Sequence, residues 1–399
     1  MGVRVGRTPT VCTMSHRRIL TSHVGSLVRP PDFVAVLKER QAGQPVPHFD
    51  ESLRTAVERV VQRQVDAGID IVSDGEFGKG IGWEQYVIER LSGFSEPPPP
   101  SPGQPATAVA PWGDFAEFMD FYAEMFPKEQ YQERPFPCTE PIAYTGHAAL
   151  RRDIDNLKAA VKRANANAGF LPVVAPASAT ALSPNQYYKS DEEYIYAVAN
   201  ALRVEYETIL DSGLFVQIDD AHLPFMYDRM VPPSSDHEYF RWAELRIEAL
   251  NHALRGLDSS RVRYHICWGS WNGPHTHDVP LKKIAPLLLK LNVGGYAIEA
   301  ANPRHEHEWN VWRDVKLPDG RVLMPGVVSH QTNVVEHPEL VAERLVRFAK
   351  VVGRERVIAG TDCGFAQGPF VRRVHESIMW AKLESLAEGA RLASQELWR

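Results

Sequence analysis

The sequence predicts a (β/α)8 TIM barrel. Three observations carry that prediction. Short β-rich runs alternate with helical patterns of about 15 to 20 residues, the rhythm of βα units around a parallel sheet. The runs number close to eight. Run after run is apolar and then ends in polar residues, and in such a barrel the C-terminal strand ends form one rim where an active site is built.

Taken in order, the β runs are 19–26, 70–77, 142–146, 171–178, 214–221, 262–269, 294–301, 323–330 and 357–365. That is one too many for the barrel, so either 142–146 or 323–330 is an extra strand or extended loop. Helical patterns fill 51–67, 150–168, 191–212, 236–255 and 337–352. The last opens at His337-Pro338-Glu339 and stops before Gly353, as helix punctuation requires. Residues 1–18 read as a flexible tail and 19–399 as a single catalytic domain with an insertion at 95–137. Its first part, 95–111, is proline-rich and suits a surface linker. The aromatic stretch 112–137 suits a helix that covers the barrel mouth or a partner subunit, so a homo-oligomer is possible.

Composition narrows the function. The 399 residues are 44% apolar, enough for a large core, and the net charge of −6 argues against nucleic acid or anionic lipid as a partner. No stretch approaches the roughly 20 apolar residues of a membrane span, and the basic start lacks the apolar run of a secretion signal. A cytoplasmic protein acting on a small molecule is expected. The four cysteines, Cys12, Cys138, Cys267 and Cys363, are too scattered for a disulfide framework and should act as thiols.

The polar strand ends are His23/Ser26, Asp74/Glu76, Asp219/Asp220, His265/Cys267, Glu299 and Asp362/Cys363. His265 and Cys267 are two apart on a strand and share a face. With Glu299 and Cys363 they offer one imidazole, two thiolates and one carboxylate, a set suited to tetrahedral zinc. Three negative charges leave a 2+ ion a poor Lewis acid for activating water. Such an ion can instead hold a substrate thiol as thiolate at neutral pH, where a free thiol with a pKa of about 8.5 stays mostly protonated. If the incoming sulfur displaces Glu299, coordination stays at four. The site reads as a thiolate activator for alkyl transfer.

These residues, in this order, resemble the catalytic barrel of the cobalamin-independent methionine synthase family. The matching stretches are Ser22-His23-Val24-Gly25-Ser26, Asp74-Gly75-Glu76-Phe77, Gln217-Ile218-Asp219-Asp220, His265-Ile266-Cys267, Ile298-Glu299, Gly326-Val327-Val328 and Asp362-Cys363-Gly364, and the likeness runs from about residue 19 to 385. The resemblance implies Zn2+ held by His265, Cys267, Glu299 and Cys363. It implies homocysteine held by Val24, Gly25 and Ser26, by Glu76 and by Asp219, and methylated to methionine. The usual member carries a further N-terminal half, so this chain corresponds to a short core form.

Two departures bear on the donor. The family's strand-end aspartate and catalytic histidine fall on Ser329 and Gln331, with His330 between them. His330 and Gln331 are the candidates for protonating the leaving group, although strand alternation turns His330 to the opposite side. For the family's pterin-stacking tryptophan, Tyr187 or Tyr188 is the candidate. An alternative reading keeps the zinc thiolate and changes both substrates, so that a thiol such as coenzyme M attacks an epoxide, as in related epoxyalkane transferases. A sulfonate thiol would call for cations, of which Lys79, Arg29 and Arg304 are candidates. A non-catalytic zinc-stabilised barrel would have a closed four-ligand site. The run His305-Glu306-His307-Glu308 reads as a solvated loop, His275 and His277 as part of a loop over the mouth, and Gly78, Gly80 and Gly82 as a flexible flap.

Overall fold

A computed structural model describes residues 17–96, 135–270 and 272–399, with isolated positions at 115, 117, 118, 121 and 124. Residues 1–16 of the tail and most of the insertion 95–137 lie outside the described residues.

The sheet has eight parallel strands: β1 Leu20–Thr21, β2 Ile71–Ser73, β3 Ala168–Val174, β4 Phe215–Asp219, β5 Val262–Ile266, β6 Gly295–Ile298, β7 Val322–Val328 and β8 Ile358–Thr361. They neighbour in the order β1-β8-β7-β6-β5-β4-β3-β2. Of the nine runs, 142–146 is the extra one. It makes a single antiparallel bridge, Leu91 to Tyr144, outside the sheet. The run at 323–330 supplies β7.

Each strand leads to an outer helix: α1 Phe49–Asp66, α2 His147–Ala164, α3 Asp191–Asp211, α4 Asp236–Ala253, α5 Leu281–Leu288, α6 Val311–Asp314, α7 Pro338–Val352 and α8 Glu376–Leu397. The expected helix 150–168 is four residues shorter at its end, because Asn165 turns left-handed at φ 51° and lets the chain enter β3 at Ala168. A capping box at Ser235 and Glu238 starts α4.

Inside the barrel, Leu20, Ile71, Ala168, Phe170, Phe215, Ala297, Val322, Met324 and Ile358 form an apolar plug separate from the core between sheet and helices. The buried Arg263 guanidinium lies 4.0 Å from the centre of the Phe170 ring and donates to Ser22 Oγ (2.8 Å) and the His23 carbonyl (2.9 Å). Burial lowers its pKa to about 9. From this level upward the lumen is polar, and the candidate site begins there.

Candidate metal and thiol site

Alternation along β5 places Arg263, His265 and Cys267 on one face. The His265 ring is oriented by Nδ1, 3.2 Å from the Ala297 carbonyl, which leaves Nε2 buried and without a hydrogen-bond partner. Cys363 follows β8 in a turn where Gly364 packs against Ser26; a Cβ there would lie 2.7 Å from Ser26 Cβ. The Cys267 and Cys363 sulfurs are 3.5 Å apart, and with a ring nitrogen of His265 they all lie within 4.8 Å of one another. The bond from Cys267, with His265 close by, holds the Cys363 thiol well below its ordinary pKa, against the effect of burial. The bond to Cys363, and then burial, push Cys267 well up. One imidazole lone pair facing two sulfurs, with its other nitrogen tied to a carbonyl, is a donor set that fits zinc.

Glu299 stands beside this trio. Its Oε2 accepts from the Trp268 amide (3.0 Å) and its Oε1 from Asn302 Nδ2 (3.0 Å). A carboxylate oxygen of Glu299 groups within 4.8 Å with atoms of His330 and Asp362. His330 was expected to face away, but the ladder between β7 and β8 shifts register between Gly326 and Val328 and the strand ends there, so alternation no longer sets its side. The ring is fully buried with neither nitrogen partnered, and burial lowers its pKa to about 4. Gln331 instead donates from Nε2 to the Gly269 carbonyl at 3.3 Å.

The acceptor residues gather at the ends of β1, β2 and β4. Gly25 has φ 137° and a Cβ there would sit 2.7 Å from Pro172 Cγ, so only glycine fits. Its amide is already taken by His23 Nδ1 (3.1 Å), and the Val24 amide donates to Thr361 Oγ1 (3.3 Å). Ser26 Oγ is buried without a partner. Glu76 is left-handed at φ 61°, fixed by its amide bond to Asp74 Oδ1 (2.9 Å), and its carboxylate meets Lys79 Nζ at 2.9 Å. Arg29 donates to the Glu76 carbonyl (2.6 Å) and keeps Nε and Nη1 buried and unpartnered. Gln217 Nε2 donates to Asp219 Oδ1 at 2.9 Å. Burial, with Glu76 nearby, pushes Asp219 up to about 7, although His265 pulls the other way.

Other expectations change. The Tyr188 hydroxyl accepts from the Ile142 amide (2.8 Å) and its ring stacks on Tyr194, while Tyr187 packs edge-on against Tyr188 and is half exposed. Arg304 donates to the Thr276 carbonyl, 3.1 Å away. The glycines at 78 and 80 are packed rather than free: added Cβ atoms would lie 2.5 Å from Asp153 Oδ1 and 2.7 Å from Glu89 Oε1. His305 and Glu308 are buried, not solvated. His305 stacks on Trp268 at 3.8 Å and sits 2.8 Å from both Asp278 and Glu308, and Asp278 also holds His275. This network, invisible in strand patterns, braces the loop after Cys267; its one sequence signal is the three-residue spacing of His305 and Glu308.

Comparison with known proteins agrees with the barrel fold. The sequence profile described as cobalamin-independent synthase, catalytic domain, matches residues 173–380. A methionine synthase of Thermococcus kodakarensis is 25% identical over 386 residues, covering 95% of this chain and 94% of its own. The 2-hydroxypropyl-CoM lyase of Xanthobacter autotrophicus is 23% identical, covering 95% of this chain and 96% of its own. The structure of a B12-independent methionine synthase from Shewanella sp. W3-18-1 superposes with a TM-score of 0.69 at 20% identity, over 95% of this chain and 99% of that one.

Proposed function

The chain belongs to the cobalamin-independent synthase catalytic-domain family, and from that premise we propose that it is a zinc-dependent thiol alkyltransferase that methylates homocysteine to methionine. The observation that carries the reading is the meeting of a ring nitrogen of His265 with the Cys267 and Cys363 sulfurs. These three residues, with Glu299 as the carboxylate that gives way, would hold the ion. Zinc there supplies a thiolate at neutral pH and keeps its sulfur nucleophilic. The chain's own groups do the rest. Ser26 Oγ, buried and without a partner, receives the acceptor's carboxylate, and Asp219 pairs with its ammonium. The polar lumen above Arg263 fixes the acceptor's depth, and the dry apolar plug below excludes water.

A second reading is favoured by one contact. Glu76, assigned to the ammonium, is already neutralised by Lys79, and Arg29 lies against its carbonyl. That arrangement suits a thiol bearing an acid group and no ammonium, such as coenzyme M attacking an epoxide. The test runs both acceptors on zinc-loaded protein: homocysteine with methyl-tetrahydrofolate or methylcobalamin, and coenzyme M with an epoxide. Zinc-dependent methionine supports the first reading. Thioether from coenzyme M alone selects the second, and no product from any pair ends both.

A further inference from the structure

Two buried polar groups beside the trio have no part in the chemistry above. Neither ring nitrogen of His330 has a partner, yet in the neutral ring one of them carries a hydrogen. Asp362 spends Oδ1 on the amides of Ala300 (2.8 Å) and Ala301 (2.7 Å), which leaves Oδ2 buried and unpaired. Unpaired buried polar groups are rare because they are costly, and here two occur together. What they share is Glu299, whose carboxylate lies within 4.8 Å of both. Each Glu299 oxygen already takes one hydrogen bond and has capacity for another.

We propose that His330 is a positioning residue for Glu299, its ring N–H donating to the carboxylate once an acceptor sulfur has displaced Glu299 from the ion. Glu299 thereby has two berths, one completing the set of His265, Cys267 and Cys363 and one beside His330. The inference rests on reading the trio as a zinc site that exchanges Glu299 for an acceptor sulfur. The exchange needs no proton at His330: the neutral ring donates a hydrogen it already carries. With Glu299 on the ion, the unpaired Asp362 Oδ2 is the ring's other acceptor. The ring is held still while the carboxylate moves. The amide of Ser329, just before it, donates to Glu336 Oε1 (2.8 Å), and Glu336 is pinned by the fully buried Lys382 (2.8 Å).

The test uses the full chain loaded with Co2+ in place of zinc and titrated with homocysteine, read by the thiolate-to-cobalt absorption. His330→Leu and His330→Phe remove the donor, and His330→Gln keeps one. Thermal unfolding identifies which donor-less variant is folded, and that one is used. The expectation is one ion per chain throughout, unchanged metal affinity, and homocysteine bound about tenfold more weakly without the donor, with recovery in His330→Gln. Equal homocysteine affinity in the donor-less variant overturns the proposal. So does a parallel loss of metal affinity, which would make His330 a ligand, or a second ion lost with the ring, which would make Glu299, His330 and Asp362 a separate metal site. A wild type whose spectrum ignores homocysteine overturns the acceptor reading as well, whereas a responsive wild type with an unaffected variant overturns only the two berths.

Discussion

Two sulfurs 3.5 Å apart repel strongly as a pair of thiolates unless a cation lies between them. Cys267 Sγ donates to Cys363 Sγ, so a divalent ion would replace that one shared hydrogen and gain two ligands. Cys363→Ser should therefore cut zinc affinity by about 100-fold, measured by chelator competition, while Cys138→Ser, remote from the trio, leaves it unchanged. Asp74 offers a different check. Burial, and then Asp153, raise its pKa to about 7 from an ordinary 3.8. The folded state thus holds a proton that the unfolded chain releases, so this group's stabilisation is present below about pH 4 and is lost as pH rises to 7. Wild-type stability relative to Asp74→Asn should fall over that window, by at most about 1.4 kcal/mol per pH unit, and level off above it. A difference that stays constant with pH in urea titrations would show that Asp74 ionises normally.

The turn from β7 into α7 shows where periodic reasoning stops. Alternation correctly put His265 and Cys267 on one face because β5 is regular through Ile266. The same rule misplaced His330, because β7 and β8 approach too closely at Gly326 to stay in register. A Cβ on Gly326 would sit 2.6 Å from the Asp362 amide nitrogen. Period-two patterns carry no sign of such a bulge, nor of the His305 network, which is made by loops meeting across the rim. The four residues proposed to hold the metal were legible as types at strand ends; the offset of Glu299 from the other three depends on bonds from Trp268 and Asn302 that no spacing encodes. Gly326→Ala should consequently cost about 3 kcal/mol and loosen metal binding with it, since Asp362 and Cys363 are adjacent. Urea unfolding and chelator competition on the same preparation measure both.

Eight strands make a barrel only if the first meets the second. The strand count could be read from sequence to within one run, but closure could not, because β1 and β2 are too short to build a ladder between them. Side-chain chemistry substitutes for the missing rungs. The Asp70 amide donates to the Thr21 carbonyl (3.2 Å), and the Thr21 amide returns a bond to Asp70 Oδ2 (3.0 Å). The same carboxylate takes Thr21 Oγ1 (3.1 Å), Asn167 Nδ2 (2.8 Å) and both terminal nitrogens of Arg18 (2.7 and 2.5 Å). One aspartate thus joins β1, the approach to β2, the entry to β3 and the chain before β1. Removing it leaves the buried Thr21 amide unpaired, which costs more than the loss of an exposed ion pair. Asp70→Ala should lower unfolding free energy by about 3 kcal/mol, whereas Arg18→Ala, whose side chain is 51% exposed, should cost under about 1 kcal/mol. The seam also carries Val24, Gly25 and Ser26 a few residues on, so Asp70→Ala should weaken acceptor binding in protein that remains folded. Equal costs for the two variants would mean that closure rests on the Arg18 ion pair and not on the Thr21 bonds.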